Sequence, residues 1–394
     1  MELELWYLIV VPILFVAGWW FRGLDQRQRE SEQRPETYYK GINLLLNEQP
    51  DKAIDAFIEV VKLDPETIEL HHALGNLFCR RGEFDRAVRI HNHLLNRADL
   101  PASERALALF ELANDYLKAG IYDRAEESFK RLMNEPDYHL EAMRALLKIY
   151  CTENEWESAI AMVNRLEKEA GENHLSEIAH FHCELANRSL KTKRIDEAKT
   201  LLEEALKIDR RCVRALIALG ELALKSEQPE QALQYWNKVE SVSPMHLTLV
   251  MAPMAKAYEM LGKHDLAMNL IHRALNDMPS AETLSIALEI VQQTEGDEGS
   301  VRLLKEELER HPTLWTYEKL LQLRLKEHPE NQDWQLLSQL LKPYVSRPGR
   351  YQCSECGFRA KGFQWHCPGC SAWGSYPPCL LYTSPSPRDR SLSR

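Results

Sequence analysis

Seven alanines recur at nearly fixed spacing along this chain: Ala53, Ala87, Ala125, Ala159, Ala198, Ala232 and Ala267, separated by 34, 38, 34, 39, 34 and 35 residues. A period near 34 constrains the fold more than any composition does. Each unit of that length is a helical hairpin that cannot bury its own apolar face and has to stack on its neighbours. Other positions keep the same phase. Gly41, Gly75, Ala113, Ala186, Gly220 and Ala255 lie 12 residues before their alanines, Phe57, Phe129 and Trp236 lie four after, and Pro65, Pro244 and Pro279 lie 12 after. Small residues on both helices let the backbones approach, the aromatic fills the gap between units, and proline, with no N–H to donate, stops the second helix. The longer gaps carry insertions such as ADLPASER at 99–106, and Pro312 keeps the phase for weaker units running to about 343. An alanine-rich bundle with coincidental spacing is the competing reading; the shared phase of four features argues against it.

This pattern resembles the tetratricopeptide repeat family over residues 34–280. The implied fold is all-α, a repeat superhelix over 34–345 whose concave wall is built from the first helix of each hairpin. The composition agrees, with 44% hydrophobic residues and only 16 glycines among 394 residues. Such arrays present a groove to a partner. Asn76, Asn114 and Asn187 each directly follow the small residue of their unit, where a side-chain amide can hold a partner's backbone or carboxylate. With Arg80 and Arg81 nearby, they are the candidate partner-binding residues, against the alternative of a solvated polar face. A net charge of -10 argues against nucleic acid as the partner. No zinc-protease helix, glycine-rich phosphate loop or nucleophile elbow occurs, so no catalytic residue is nominated and the chain is not expected to be an enzyme. His180 and His182 diverge on a helix, and the pairs His71/His72 and His91/His93 share that fault, so all are read as surface or core histidines.

The stretch LWYLIVVPILFVAGWWF, residues 5–21, has no charge and carries tryptophan or tyrosine at both ends. Ten of its residues are Leu, Ile, Val or Phe; together they favour insertion by roughly 3 to 6 kcal/mol. Residues 1–22 are therefore expected to form a single transmembrane helix, followed by a juxtamembrane linker at 23–33. A cleaved signal peptide is the alternative, but Glu2 and Glu4 replace its basic start. Arg22, Arg27, Arg29 and Arg34 follow the span and no Lys or Arg precedes it, which places the remainder in the cytoplasm. Cys79, Cys151, Cys183 and Cys212 lie singly and are expected as reduced thiols.

Residues 353–370 read CSECGFRAKGFQWHCPGC. Cys353, Cys356, Cys367 and Cys370 make two C-x-x-C knuckles that suit one metal ion, iron or zinc, in a small module at 346–378. Four thiolates leave no open coordination position, which argues against hydrolytic chemistry. A thioredoxin-like redox motif would need one such pair beside a βαβ unit. Tyr351, Phe358, Phe363, Trp365 and Trp373 are too few for an independent core, so the module is expected to be held by its ion and to dock on the last helical unit.

Anchor, repeat array and cysteine knuckles together, with the stretches DKAIDAFIEVVK, LGNLFCRRGEFDRAVRIH, YDRAEESF, EIAHFHCELA and RYQCSECGF, resemble the lipopolysaccharide assembly protein B family of Gram-negative bacteria. The resemblance implies a single-pass inner-membrane protein on the cytoplasmic side. It further implies an adaptor for the membrane protease FtsH that promotes degradation of the lipid A deacetylase LpxC, opposed by the inner-membrane regulator PbgA (YejM) and working with other lipopolysaccharide assembly proteins. The family's rubredoxin-like site maps onto the same four cysteines. Ser371 replaces a rubredoxin glycine, which weakens the case for electron transfer. A structural scaffold for envelope assembly enzymes without a protease partner, and a rubredoxin-like electron carrier, are the alternatives. Self-association into a homodimer is left open. CLLYTSPSPRD, in the tail at 379–394, resembles a translated sequencing adapter and is set aside as non-native.

Overall fold

The structure is a computed structural model that describes residues 68–277, 280–345 and 351–377. The expected anchor, its linker, the first repeats, residues 346–350 at the start of the cysteine module and the tail lie outside those residues. Among the described residues no helix is long and apolar enough to cross a membrane. The chain divides into two compact units, 1–172 and 173–394.

Among the described residues the first unit contains three hairpins: α1 (Ile68–Arg80) with α2 (Phe84–Leu95), α3 (Ala102–Lys118) with α4 (Tyr122–Leu132), and α5 (His139–Glu153) with α6 (Trp156–Ala170). The second unit continues with α7 (Leu175–Lys191) and α8 (Ile195–Ile208), then α9 (Val213–Lys225) and α10 (Pro229–Val242). A 3-10 turn, Pro244–Leu249, leads into α11 (Met251–Met260), which pairs with α12 (His264–Asp277). The segment α13 (Ala281–Arg310) is two helices broken at Gly296, and α14 (Leu314–Glu327) with α15 (Gln332–Val345) forms the last pair.

The repeat positions behave as their spacing requires. Ala87, Ala125, Ala159, Ala198 and Ala232 are completely buried, as are Phe129 and Trp236. The small residue 12 positions upstream has a visible cause: a Cβ on Gly220 would fall 2.2 Å from Nε1 of Trp236. A Cβ on Gly75 would likewise fall 2.2 Å from Nε2 of His91, which takes the ring position in its unit.

A further periodic feature is a left-handed residue five positions before each alanine from Ala87 to Ala267. Gly82, Gly120, Asn154, Lys193, Glu227 and Gly262 all have φ between 57° and 78°. The next residue's N–H returns to the preceding helix, for example from Glu83 to Phe78 O at 2.9 Å and from Gln228 to Ala223 O at 3.0 Å, closing each helix end in the same way. Lys193 and Glu227 carry a Cβ in a conformation that costs about 1–2 kcal/mol. Replacing either by glycine is expected to stabilise the chain by about 0.5–1 kcal/mol in denaturant titration, after the added freedom of the unfolded chain is subtracted. A loss of stability in both variants would contradict this reading of the turns.

The C-terminal module pairs β1 (Tyr351–Gln352) with β2 (Arg359–Ala360) in antiparallel register, Tyr351 opposite Ala360. Its own core is Tyr351, Cys353, Cys367 and Tyr376, with Ala360 and Phe363 packed against them.

Candidate metal centre

Each C-x-x-C pair sits in a backbone knuckle, and the two knuckles repeat one hydrogen-bond pattern. Cys353 N–H donates to Phe358 O and Cys367 N–H to Ala372 O, both at 2.9 Å. Gly357 N–H returns to Cys353 O at 3.0 Å and Ser371 N–H to Cys367 O at 2.8 Å. Gly357 has φ 76°, and Ser371 holds the equivalent left-handed place at φ 61°. The serine thus keeps the knuckle geometry, at the cost of a strained backbone.

The turns bring the four sulfurs together. Sγ of Cys353 and Cys370 are 3.7 Å apart, and those of Cys356 and Cys367 are 3.6 Å apart. Metal–sulfur bonds of about 2.3 Å in a tetrahedron place sulfurs roughly 3.8 Å from one another, so the set fits zinc or iron without rearrangement. Buried hydroxyls support the inner pair: Ser375 Oγ lies 3.2 Å from Cys353 Sγ, and Tyr376 Oη lies 3.4 Å from Cys367 Sγ. Burial pushes the Cys353 thiol up, but the Ser375 hydroxyl and the amides of Cys356 and Glu355 prevail and bring it to about 6. Cys370 moves the other way, to about 12: the Ala372 amide favours its thiolate, while burial and the neighbouring cysteines oppose it. A bound cation removes that conflict by neutralising the crowded sulfurs. The four cysteines therefore form a metal site; the ligand set alone does not choose between zinc and iron.

The module docks elsewhere than the sequence suggests. The expected neighbour was the last helical unit, α14–α15. Its rings instead meet α7, α9 and the 3-10 turn, several hairpins upstream within the second unit. Trp373 stacks on His180 at 5.0 Å and 19°, and meets Phe181 edge-on at 5.9 Å. Trp365 stacks on His246 at 5.5 Å and 18°. The Arg214 guanidinium lies 5.9 Å from the centre of each tryptophan and is held by Glu184 at 2.9 Å. This surface is chosen because two flat imidazoles and one cation match two indoles, a complementarity that simple apolar helix ends do not offer. Of the aromatics expected to dock, Phe363, Trp365 and Trp373 do so. Tyr351 stays in the module's core and Phe358 remains 45% exposed. A cleft of ≈ 510 Å³ opens along the seam between Trp365, Trp373, His180 and His246.

Burial holds both docking histidines neutral. It lowers His180 to about 4, aided by Arg214, and lowers His246 to about 4 as well. An undocked, solvated ring titrates near 6.5, so acidification favours the undocked state. The docking energy is complete above about 6.5 and is lost progressively as pH falls toward 4, by at most roughly 3 kcal/mol per ring. Tryptophan emission from the seam should accordingly change with a midpoint between those values, and the change should shrink in a His246→Gln variant. An emission profile flat from pH 7 to 4 would contradict this.

The candidate groove residues are placed as follows. Asn76 is exposed and its amide donates to Glu111 Oε1 at 2.5 Å; Asn114 is half-buried and donates to Phe110 O at 2.9 Å. Arg80, Arg81 and Asn187 are exposed, with Arg81 beside Glu83 at 3.1 Å. Asn76 and Asn114 thus already use one amide donor internally. The functional residues that sequence reasoning missed are His180, Arg214 and His246, which form the seat of the module. Cys79, Cys183 and Cys212 are free thiols.

Family models agree with this architecture. Residues 351–378 match the rubredoxin metal binding domain, and residues 70–106 and 189–241 match the tetratricopeptide repeat. Among solved structures, a tetratricopeptide repeat protein from Parabacteroides merdae is similar over 79% of this chain and 99% of that chain, at 15% identity and a TM-score of 0.28, too loose a likeness to bear on function. The curated relatives are nearer. Lipopolysaccharide assembly protein B of Haemophilus influenzae is 28% identical over 390 residues, covering 95% of this chain and 98% of its own. Lipopolysaccharide assembly protein B of Escherichia coli K12 is 34% identical over 382 residues, again covering 95% of this chain and 98% of its own. Similarity of that depth over nearly the whole length of both proteins means that the chain belongs to the lipopolysaccharide assembly protein B family.

Proposed function

We propose that this chain is a non-catalytic adaptor of lipopolysaccharide biosynthesis, tethered by residues 1–22 to the cytoplasmic face of the inner membrane, which presents the deacetylase LpxC to the protease FtsH. The observation that carries the reading is near-full-length similarity to relatives named for lipopolysaccharide assembly, combined with a metal site whose ligands are all thiolates. A saturated four-sulfur ion builds a surface rather than activating water. In this reading PbgA opposes the adaptor, and the exposed Asn76, Arg80, Arg81 and Asn187, with Asn114, belong to a partner groove.

Tethering adaptor and protease to one membrane raises their effective concentration without a new contact, by factors that reach about 100 or more in linked systems. In cells that depend on this chain, deletion of residues 1–22 should therefore prolong the LpxC half-life several-fold while the array stays folded. Affinity capture from membranes should recover FtsH with the intact chain. An ordinary LpxC half-life with the untethered form, or capture of envelope enzymes without FtsH, would overturn the adaptor reading, the latter in favour of a scaffold.

A further inference from the structure

The first two described hairpins gather a second set of metal-ligand side chains, from three helices. His72 on α1, His91 on α2 and Glu111 on α3 each offer a ligand atom within 4.8 Å of the others. No two of them share a helix, so pairwise reading of histidines along the sequence cannot find them. His91 is completely buried and His72 is 8% exposed. Nδ1 of His91 faces Asp115 Oδ2 at 2.6 Å, and Asp115 is itself 1% exposed. A carboxylate on one ring nitrogen keeps the proton there and turns the other nitrogen into a lone-pair donor, the usual support of a metal-bound histidine. That other nitrogen, Nε2, is buried without a hydrogen-bond partner and lies 3.2 Å from Glu111 Oε2. His72 Nδ1 meets the same carboxylate oxygen. Asn76 fixes the second Glu111 oxygen at 2.5 Å, and Glu104 Oε2 lies 3.5 Å from His72 Nε2.

An unprotonated ring nitrogen this close to a carboxylate inside the fold is repulsive unless a cation lies between them. We propose that His72, His91 and Glu111 bind a divalent transition ion of borderline softness such as zinc, with Asp115 and Asn76 orienting the ligands. Imidazole nitrogen with carboxylate oxygen is the donor set such ions accept. The site is chemically unlike the four-thiolate centre and fastens two successive hairpins through three helices. It exists because His91 occupies the ring slot over Gly75 that Trp236 fills over Gly220: the same packing position receives a ligand in place of an indole. Three protein ligands leave a coordination position for water or for a partner's side chain.

The test is cobalt titration of the tag-free, metal-stripped full chain, followed by absorbance and by metal analysis. The first equivalent should give the sulfur-to-cobalt charge-transfer band of the four-cysteine site. A second equivalent should give only the weaker d–d bands of nitrogen and oxygen ligands. Glu111→Gln and His72→Gln should each lose the second equivalent and keep the first, and Asp115→Asn should weaken it by about 10–100-fold. Uptake of a single equivalent by the unaltered chain would overturn the proposal, leaving a protonated His91 between two carboxylates as the account of the cluster. So would a second equivalent that survives in both ligand variants. Should Glu111→Gln fail to fold, the unaltered chain and His72→Gln still decide.

Discussion

Removing the ion from Cys353, Cys356, Cys367 and Cys370 is expected to unfold residues 351–377 while the three hairpins between 68 and 172 keep their helices. The module owns four buried core residues, and two of those are ligands. Chains of fewer than about 40 residues seldom hold together without a metal or a disulfide, and a structural metal contributes on the order of 10 kcal/mol. Nothing else in the module approaches that size. Limited proteolysis with and without chelator should show new cleavage within 351–377 and unchanged fragments from α5 and α6, and Cys353→Ser should copy the new cleavage within 351–377. A module that stays protease-resistant after its metal is gone would mean that docking, and not the ion, folds it.

Arg214→Ala should have the second-largest effect, and a different one: the ion stays and the module lets go. Arg214 is 8% exposed, faces both indoles, and pairs with Glu184. Truncation removes two cation–aromatic contacts and leaves the Glu184 carboxylate without its partner. Since Glu184 keeps some contact with water, with 26% of its side chain exposed, the expected cost is roughly 3 kcal/mol, below that of a fully buried pair. The variant should retain its metal content while the tryptophan emission of the seam shifts toward that of solvated indole. Unchanged emission would show that stacking on His180 and His246 suffices without the cation.

The difference between these two variants reflects what the sequence could and could not disclose. The repeat alanines were legible because close helix crossing admits few residue types, so Ala87 through Ala267 mark the units by their spacing alone. The cysteine ligands were legible because a knuckle fixes their spacing. The left-handed turns were half hidden, since glycine announces Gly82, Gly120 and Gly262, whereas Asn154, Lys193 and Glu227 adopt the same conformation without advertising it. The seat of the module was not legible. His180, Arg214 and His246 belong to three separate elements and acquire meaning only when stacking brings them under Trp373 and Trp365. Docking on the last helices followed from chain proximity alone, and ring complementarity overrode it. The same limit applies to His72, His91 and Glu111, whose register becomes visible once His91 is found in the slot of an aromatic.

By folding the module that covers α7, α9 and the 3-10 turn, the ion shapes the array at a distance. Amide hydrogen exchange over residues 173–377, before and after the metal is stripped from the full chain, tests this most directly. Faster exchange is expected within 351–377 and, with it, in the 3-10 turn at 244–249 and in α7 around His180, with exchange in α5 and α6 unchanged. Exchange that quickens in the module alone, while 244–249 and α7 stay as protected as before, would contradict it.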